Sequence, residues 1–240
     1  MNDPYRHHPE LRGQIADPEA SFFRDFRVEN LIERLAEEGI DPGEFHGDDA
    51  RETIRRQALS EAPPGDLWIF AYGSLMWDPA FYFAEVRRAR VAGFARRFIL
   101  KDIYGGRGTA EQPGAMAALD VGPECNGLVF RIAEGLIERE TEILCRRELM
   151  GPAYTPIFHE AATDQGAVTT LMFVADHESE AIEPDLSHDL QVEYLATGTG
   201  FLGSSADYLR GIVEKFHQLG IDDPDTDALL RDVEALIRSF

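Results

Sequence analysis

A glutamate near the end of a predicted helix is the residue best placed for proton transfer. The spacing of apolar residues predicts a helix over 134–150. At about 100° per residue, Glu148 lies about 20° from Ile137 and about 40° from Leu144, at one edge of the apolar arc. A carboxylate that is half inside an apolar face tends to have a raised pKa. Such a group suits general acid–base chemistry near neutral pH.

The same helix offers a second acidic candidate. Glu140 and Arg147 lie further inside the apolar arc than Glu148 does. A structural contact between Glu140 and Arg147 would explain this pattern as well as a catalytic role would. Helical periodicity therefore leaves Glu148 and Glu140 open as alternatives.

A sharp turn after an apolar strand is the strongest local feature of the chain. The run 67–71 leads straight into Tyr72-Gly73-Ser74-Leu75. A glycine at a strand end lets backbone N–H groups approach a ligand closely. Such amides can hold a carboxylate or stabilise a developing oxyanion. The spacing alone also fits a buried strand that ends in an ordinary turn.

Two further groups of residues could take part in chemistry. Five arginines on predicted strands could form a solvated face, with one or two of them aimed at a substrate carboxylate; they are Arg87, Arg88, Arg90, Arg96 and Arg97. Cys145 could act as a nucleophile with His159 as its partner, although a thiol in an apolar stripe is usually inert packing. The histidines show no metal-ligand spacing, so we expect no metal site.

Short strands and helices must position these residues. Strand candidates share β-branched or aromatic residues between Gly, Pro or Asp turns. They are 67–71, 86–94, 96–101, 115–120, 127–132, 155–161 and 168–175. Helices are predicted at 28–38, 48–59, 134–150, 205–219 and 225–239, the first of them stopped by Gly39 and Pro42. This order favours an α+β domain with a mixed, barrel-like sheet, one inserted helix and C-terminal helices.

A break at Pro63-Pro64-Gly65 predicts the domain boundary. We expect an N-terminal helical extension over 1–65, whose role is open, and a catalytic domain over 66–240. Residues 1–20 are rich in Pro and mixed charge, which favours a loosely ordered lead-in.

Composition excludes several classes of function. The net charge of −21 opposes binding to nucleic acid and to anionic membranes. The longest apolar run, 67–77, is far short of the roughly 20 residues that cross a bilayer. The N-terminus lacks the apolar centre of a secretory signal, and two cysteines fit a reducing compartment. We therefore expect a cytoplasmic protein with a small-molecule substrate; its oligomeric state is not indicated.

Several ordered segments resemble the γ-glutamyl cyclotransferases of the ChaC type. Tyr72-Gly73-Ser74-Leu75 is similar to the substrate loop of that family, and Met76-Trp77 to its ChaC branch. The resemblance continues in order over about 66–221, through 90–98, 107–109, Pro113-Gly114, 125–131, Arg147-Glu148, Tyr154 and 203–209.

This resemblance implies a reaction and a site. Glutathione would be converted to 5-oxoproline and Cys-Gly by attack of its own α-amine on the γ-carbonyl carbon. Glu148 occupies the position of the family's catalytic Glu and would act as general acid/base. The loop from Tyr72 to Leu75 and the hydroxyl of Tyr208 would contact the substrate, and no cofactor would be needed.

Three alternatives remain at this point. The substrate could be another γ-glutamyl amine or peptide, processed by the same chemistry. The chain could be a Cys-dependent amidohydrolase. It could also be a non-catalytic protein that binds a ligand in the same pocket.

Overall fold

The computed structural model describes residues 3–37, 39 and 45–240. Its main sheet has five strands: β1 (Leu67–Ala71), β2 (Glu85–Tyr104), β3 (Thr109–Ile132), β4 (Tyr154–Ala162) and β5 (Val168–Ala175). They form a closed barrel in the order β1-β3-β2-β4-β5. The β1–β5 pair is parallel and the other pairs are antiparallel. The predicted α+β fold with a mixed, barrel-like sheet is confirmed.

Six helices and a small hairpin surround the barrel in the described part of the chain. The helices are α1 (Val28–Glu37), α2 (Asp48–Leu59), α3 (Ile137–Glu148), α4 (His188–Thr197), α5 (Ser205–Leu219) and α6 (Pro224–Ile237). The hairpin pairs β6 (Thr199–Gly200) with β7 (Gly203–Ser204). No helix among the described residues is long and apolar enough to span a bilayer. The predicted end of the first helix at Glu38 and its stop at Pro42 lie outside the described residues.

Two long strands replace four predicted short ones. The breaks predicted near residue 95 and near 121–126 are wrong, because β2 and β3 run on through them. The register jumps from Ala92 opposite Glu124 to Phe94 opposite Val121. Gly93 accommodates the bulge with φ +84°, a conformation that glycine adopts at little steric cost. Pro123 is tolerated in β3 because it lies at this bulge, where the ladder of hydrogen bonds is interrupted.

Helix α4 was not predicted from the sequence. Its apolar residues Leu190, Val192 and Tyr194 alternate like those of a strand, so helical periodicity does not reveal it. The local signal was the cap: the Ser187 side chain accepts a hydrogen bond from the Leu190 amide at 3.3 Å.

The expected loose lead-in at 1–20 is wrong for the residues described there. Leu11 and Ile15 are buried against the barrel domain, and the Val86 amide donates to the Pro4 carbonyl at 3.0 Å. Two short 3₁₀ turns, Pro9–Leu11 and Pro18–Ala20, shape this segment, and a third, Phe22–Arg24, follows it. The burial of a few apolar side chains holds this segment in place. Its mostly polar composition gives no sign of that burial.

Alternation along the strands divides the core between two faces. In β1, Ile69 belongs to the larger cluster, which also includes Phe130 and residues of α5, whereas Phe70 and Tyr72 belong to a second cluster. The chain therefore leaves β1 inside the domain, at the buried residue Tyr72. The site begins at this point.

Candidate active site

Helix α3 ends at the candidate acid–base residue. Glu148 is its last residue, and the amide of Leu149 donates to the Cys145 carbonyl at 2.9 Å to close the final turn. The predicted end at 150 is two residues too long. Strand β4 begins six residues after Glu148, at Tyr154. The short connection brings a helix end and a strand start into one place.

The Glu148 carboxylate is largely removed from water. Its side chain is 13% exposed. Burial raises the pKa of Glu148, and the positive charge of Arg147 offsets part of that rise in pKa. Arg147 Nε lies 3.2 Å from Glu148 Oε1. A buried carboxyl group with a raised pKa exchanges protons more readily near neutral pH than an exposed one does.

Three tyrosines from different elements lie near enough to Glu148 to be affected by its charge. Tyr72 follows β1, Tyr154 opens β4 and Tyr208 lies on α5, and the charge of Glu148 acts on all three. Burial raises the pKa of each phenol, so all three keep their protons at neutral pH. They therefore present neutral hydroxyl groups, not phenolates, near one carboxylate.

Strand β3 connects two of these tyrosines. The Tyr154 hydroxyl donates to the Ala117 carbonyl at 3.2 Å, and the Ala117 amide donates to the Tyr208 hydroxyl oxygen at 3.3 Å. The hydroxyls of Tyr72 and Tyr154 also interact. Both polar groups of one barrel residue thus fix the spacing between β4 and α5.

The predicted substrate loop forms a 3₁₀ turn, Ser74–Met76, directly after Tyr72 and Gly73. The Met76 amide donates to the Gly73 carbonyl at 2.9 Å. Amides at the start of such a turn have no partner within it. Among the described residues, no backbone carbonyl outside the turn accepts from the amides of Gly73, Ser74 and Leu75. The Leu75 side chain is buried in the core, so Leu75 can offer a ligand only its backbone.

Arg147 joins this loop to Glu148. Its Nη2 donates to Ser74 Oγ at 2.5 Å, and its Nη1 donates to the Asp78 carbonyl. Its Nε faces Glu148. One guanidinium therefore contacts both the turn that carries the free amides and the carboxylate.

Glu140 has a different partner from the one considered in the sequence. It forms a buried pair with Arg24, in which Arg24 Nη1 donates to Glu140 Oε2 at 2.5 Å and Nη2 to Oε1 at 3.3 Å. The Tyr82 amide also donates to Oε2, at 2.9 Å. The contact considered between Glu140 and Arg147 is replaced by these bonds. Glu140 is fully buried, and its contacts with Arg24 and Tyr82 are structural.

The arginines on β2 are mostly engaged by protein groups. Arg96 is buried; it donates to the carbonyls of Tyr72 (2.6 Å) and Asn126 (2.8 Å) and pairs with Asp223. Arg96, from the predicted group of five, therefore lies beside Tyr72, and its charge also acts on Tyr208. A second arginine, Arg107, lies outside the predicted group. Its guanidinium lies 4.7 Å from the centre of the Tyr208 ring.

Two residues of this cluster were missing from the predicted site. Tyr154 is among the segments that resemble the family, but the resemblance does not by itself give it a role. Its place at a strand start six residues after Glu148 is the one local signal. Arg107 follows Gly105-Gly106, which gave no sign of a contact with α5. Only the tertiary packing of the β2–β3 connection on α5 brings Arg107 to Tyr208.

The environment of Cys145 disfavours the thiolate. The thiol is buried, and this burial raises its pKa to about 12. His159 lies 3.0 Å from the Ala92 carbonyl through Nε2 and packs edge-on against Phe94. A thiol with this pKa is almost entirely protonated at neutral pH and is a poor nucleophile.

Comparison with known proteins places these residues in a family. The family model for ChaC-like proteins matches residues 67–240. A glutathione-specific γ-glutamylcyclotransferase of Escherichia coli K12 is 35% identical over 174 residues, covering 72% of this chain and 75% of the relative. Glutathione-specific γ-glutamylcyclotransferase 1 of Danio rerio is 28% identical over 181 residues, covering 73% of this chain and 91% of the relative.

A solved structure supports the fold. The crystal structure of a yeast γ-glutamyl cyclotransferase specific to glutathione superposes with a TM-score of 0.64 at 20% identity, covering 73% of this chain and 99% of that chain. The matched segment contains Glu148, its three tyrosines and the loop that follows β1. The chain therefore belongs to the ChaC-like family, as its motifs predicted.

Proposed function

We propose that this protein is a γ-glutamyl cyclotransferase that converts glutathione to 5-oxoproline and Cys-Gly. The α-amino nitrogen of the substrate attacks its own γ-carbonyl carbon, which forms the C–N bond of a five-membered ring. The bond from that carbon to the cysteine nitrogen then breaks. One proton leaves the α-nitrogen and one is added to the departing amine, so no water is consumed.

The observation that carries this proposal is the buried carboxylate of Glu148 among three neutral tyrosines. A single carboxylate near both substrate nitrogens can take the proton from the attacking amine and return it to the leaving amine. The pKa of Glu148 is raised by burial, which brings its proton affinity closer to that of the groups it serves. Glu148 is thus the general acid/base and not a nucleophile.

The loop after β1 supplies the other part of the mechanism. The amides of Gly73, Ser74 and Leu75 are the natural donors to the oxyanion that forms as the amine attacks. The hydroxyls of Tyr72 and Tyr208 hold the γ-glutamyl arm, and Tyr154 joins them in this role. Folding that arm so that amine and carbonyl meet can contribute roughly 7–11 kcal/mol to lowering the barrier.

The choice of glutathione rests on the names of relatives. The Escherichia coli and Danio rerio proteins are called glutathione-specific, whereas two Arabidopsis thaliana relatives are called γ-glutamylcyclotransferases without a named substrate. A second candidate function is therefore cyclotransfer on another γ-glutamyl amine or peptide. A panel of γ-glutamyl compounds, compared by kcat/KM for 5-oxoproline formation, separates the two.

Incubation of the purified protein with glutathione tests the proposal. We expect 5-oxoproline and Cys-Gly in equal amounts and no free glutamate. Free glutamate would indicate hydrolysis instead. Stabilisation of the protein by glutathione without any product would support the non-catalytic ligand-binding alternative.

The remaining assignments belong to the same proposal. The catalytic domain spans 66–240 and the extension 1–65 precedes it. We place the protein in the cytoplasm, since its two cysteines are unpaired and buried in the structure. Subcellular fractionation tests this location. The acidic surface leaves nucleic acid and anionic membranes as unfavourable partners.

A further inference from the structure

The N-terminal extension reaches the residues around the proposed active site. Residues 16–24, named here the N-terminal strap, precede the segment matched by the family model, which begins at residue 67. The strap contacts the segment after the substrate loop at both of its ends. The Ala16 amide donates to the Trp77 carbonyl at 2.7 Å, and Arg24 Nη1 donates to the Ala80 carbonyl at 3.1 Å.

The strap also holds helix α3. Arg24 forms its buried two-pronged pair with Glu140, and Arg146 Nη2 donates to the Arg24 carbonyl at 3.1 Å. Glu140 and Arg146 lie on the helix that ends at Glu148. A single turn of the strap is therefore bonded both to the chain that follows the substrate loop and to the helix that carries the acid–base residue.

Phe23 completes this arrangement at the guanidinium of Arg147. The guanidinium carbon lies 4.1 Å from the centre of the Phe23 ring. The nitrogens of Arg147 contact Ser74, Asp78 and Glu148, and the aromatic ring supports the guanidinium as a cation–π partner. The ring therefore adds a constraint that these polar contacts do not supply.

We propose that Phe23 is a positioning residue of the active site, which acts through Arg147 to keep the Ser74 turn and Glu148 in register. This inference rests on the proposed function for its kinetic consequences. Arg24 anchors the strap so that Phe23 stays in place. A residue outside the family match would thus contribute to the geometry of the proposed site.

Substitution of Phe23 by alanine tests this role, and two matched variants serve as comparisons. Phe23→Trp keeps an aromatic face under Arg147, and Phe240→Ala removes a ring outside the strap that is 80% exposed. For Phe23→Ala we expect kcat to fall by roughly 10- to 100-fold with a smaller change in KM, since small displacements of reacting groups can cost about 100-fold. Phe23→Trp should recover most of kcat, and Phe240→Ala should match the wild type.

The pH profile separates positioning from a general loss of folded protein. The charged and titratable groups that act on Glu148 or respond to it are Arg147, Cys145, Tyr72, Tyr154 and Tyr208. Only Arg147 among them lowers the pKa of Glu148. A displaced guanidinium would let that pKa rise, so the acid limb of kcat/KM should move to higher pH in Phe23→Ala. A smaller folded fraction alone would leave the limb in place.

Hydrogen exchange gives a readout that needs no turnover. Amides of Met76, Trp77 and Asp78 are bonded within the loop, and they should exchange faster in Phe23→Ala while peptides from 154–175 keep wild-type rates. If the wild type makes no 5-oxoproline, the proposed function fails and this exchange alone decides the role of Phe23. Wild-type kcat, pH profile and exchange in Phe23→Ala would overturn the inference while leaving the proposed function intact.

Discussion

The Arg147 guanidinium donates to the Ser74 hydroxyl over 2.5 Å and so connects helix α3 to the turn after β1. The same side chain lies 3.2 Å from Glu148. One cation therefore lies next to both parts of the proposed site. These are the backbone amides that can stabilise an oxyanion and the carboxylate that can move protons. This arrangement predicts that Arg147 influences both the geometry and the proton affinity of the site.

Arg147→Gln should shift the pH dependence of the reaction. Arg147 lowers the pKa of Glu148, so its loss leaves burial unopposed and raises that pKa further. Because Glu148 must be unprotonated to accept a proton from the substrate, the acid limb of kcat/KM should move to higher pH. We expect kcat also to fall by roughly 10- to 100-fold as the Ser74 turn is released.

The profile of kcat/KM against pH for wild type, Arg147→Gln and Arg147→Lys checks this prediction. Arg147→Lys keeps a positive charge and should lie between the other two. An acid limb that does not move in Arg147→Gln would show that Arg147 does not set the pKa of the catalytic group.

Tyr154→Phe should impair turnover without unfolding the protein. Its hydroxyl donates to the Ala117 carbonyl and interacts with Tyr72 beside Glu148. Loss of one hydrogen bond is worth about 0.5–1.5 kcal/mol, so kcat/KM should fall by up to about 10-fold. Steady-state kinetics with glutathione measures this loss, and Tyr194→Phe on α4 serves as the matched control. Equal kinetics for both variants would remove Tyr154 from the site.

Arg24→Ala should strongly destabilise the fold. It leaves the fully buried Glu140 without its cationic partner, which costs about 3–5 kcal/mol in comparable buried pairs. Urea unfolding of this variant, of Arg24→Met combined with Glu140→Leu, and of Arg12→Ala measures the effect. The double variant should be more stable than Arg24→Ala, and the exposed Arg12 should have little influence. A fully stable Arg24→Ala would contradict the buried pair.

Activity should be insensitive to reagents that block thiols. Burial raises the pKa of Cys145 to about 12, so almost none of the thiolate is present at neutral pH. Turnover by Cys145→Ser, and by wild type after treatment with a thiol-blocking reagent, tests this expectation. Loss of activity in both, with the fold retained, would favour the Cys-dependent amidohydrolase.

The elements that depend on local patterns were predicted well from the sequence. The boundaries of β1, β5 and α5 agree with the prediction, because each is a short apolar run or an amphipathic helix with clear stop signals. Glu148 was placed at the edge of a buried face, and its side chain is indeed mostly but not fully buried.

Features that depend on distant contacts were not predictable in this way. Glu140 pairs with Arg24, which is 116 residues away in the chain, and no periodicity reports such a contact. The meeting of Tyr72, Tyr154 and Tyr208 depends on closure of the barrel and docking of α5. The continuity of β2 depends on a glycine bulge, which looks like a strand end when read locally.

The most direct test of the account is 5-oxoproline release from glutathione by Glu148→Gln, compared with wild type and with Glu140→Gln. General acid–base groups contribute about 10²- to 10⁴-fold, so Glu148→Gln should lose at least about 100-fold in kcat while thermal stabilisation by glutathione persists. Glu140→Gln weakens the pair with Arg24 and the bond from the Tyr82 amide, so it should lose stability, while its kcat per folded molecule should fall far less than that of Glu148→Gln. Near-normal kcat in Glu148→Gln, or a collapse of kcat in folded Glu140→Gln, would contradict the assignment of Glu148 as the proton shuttle.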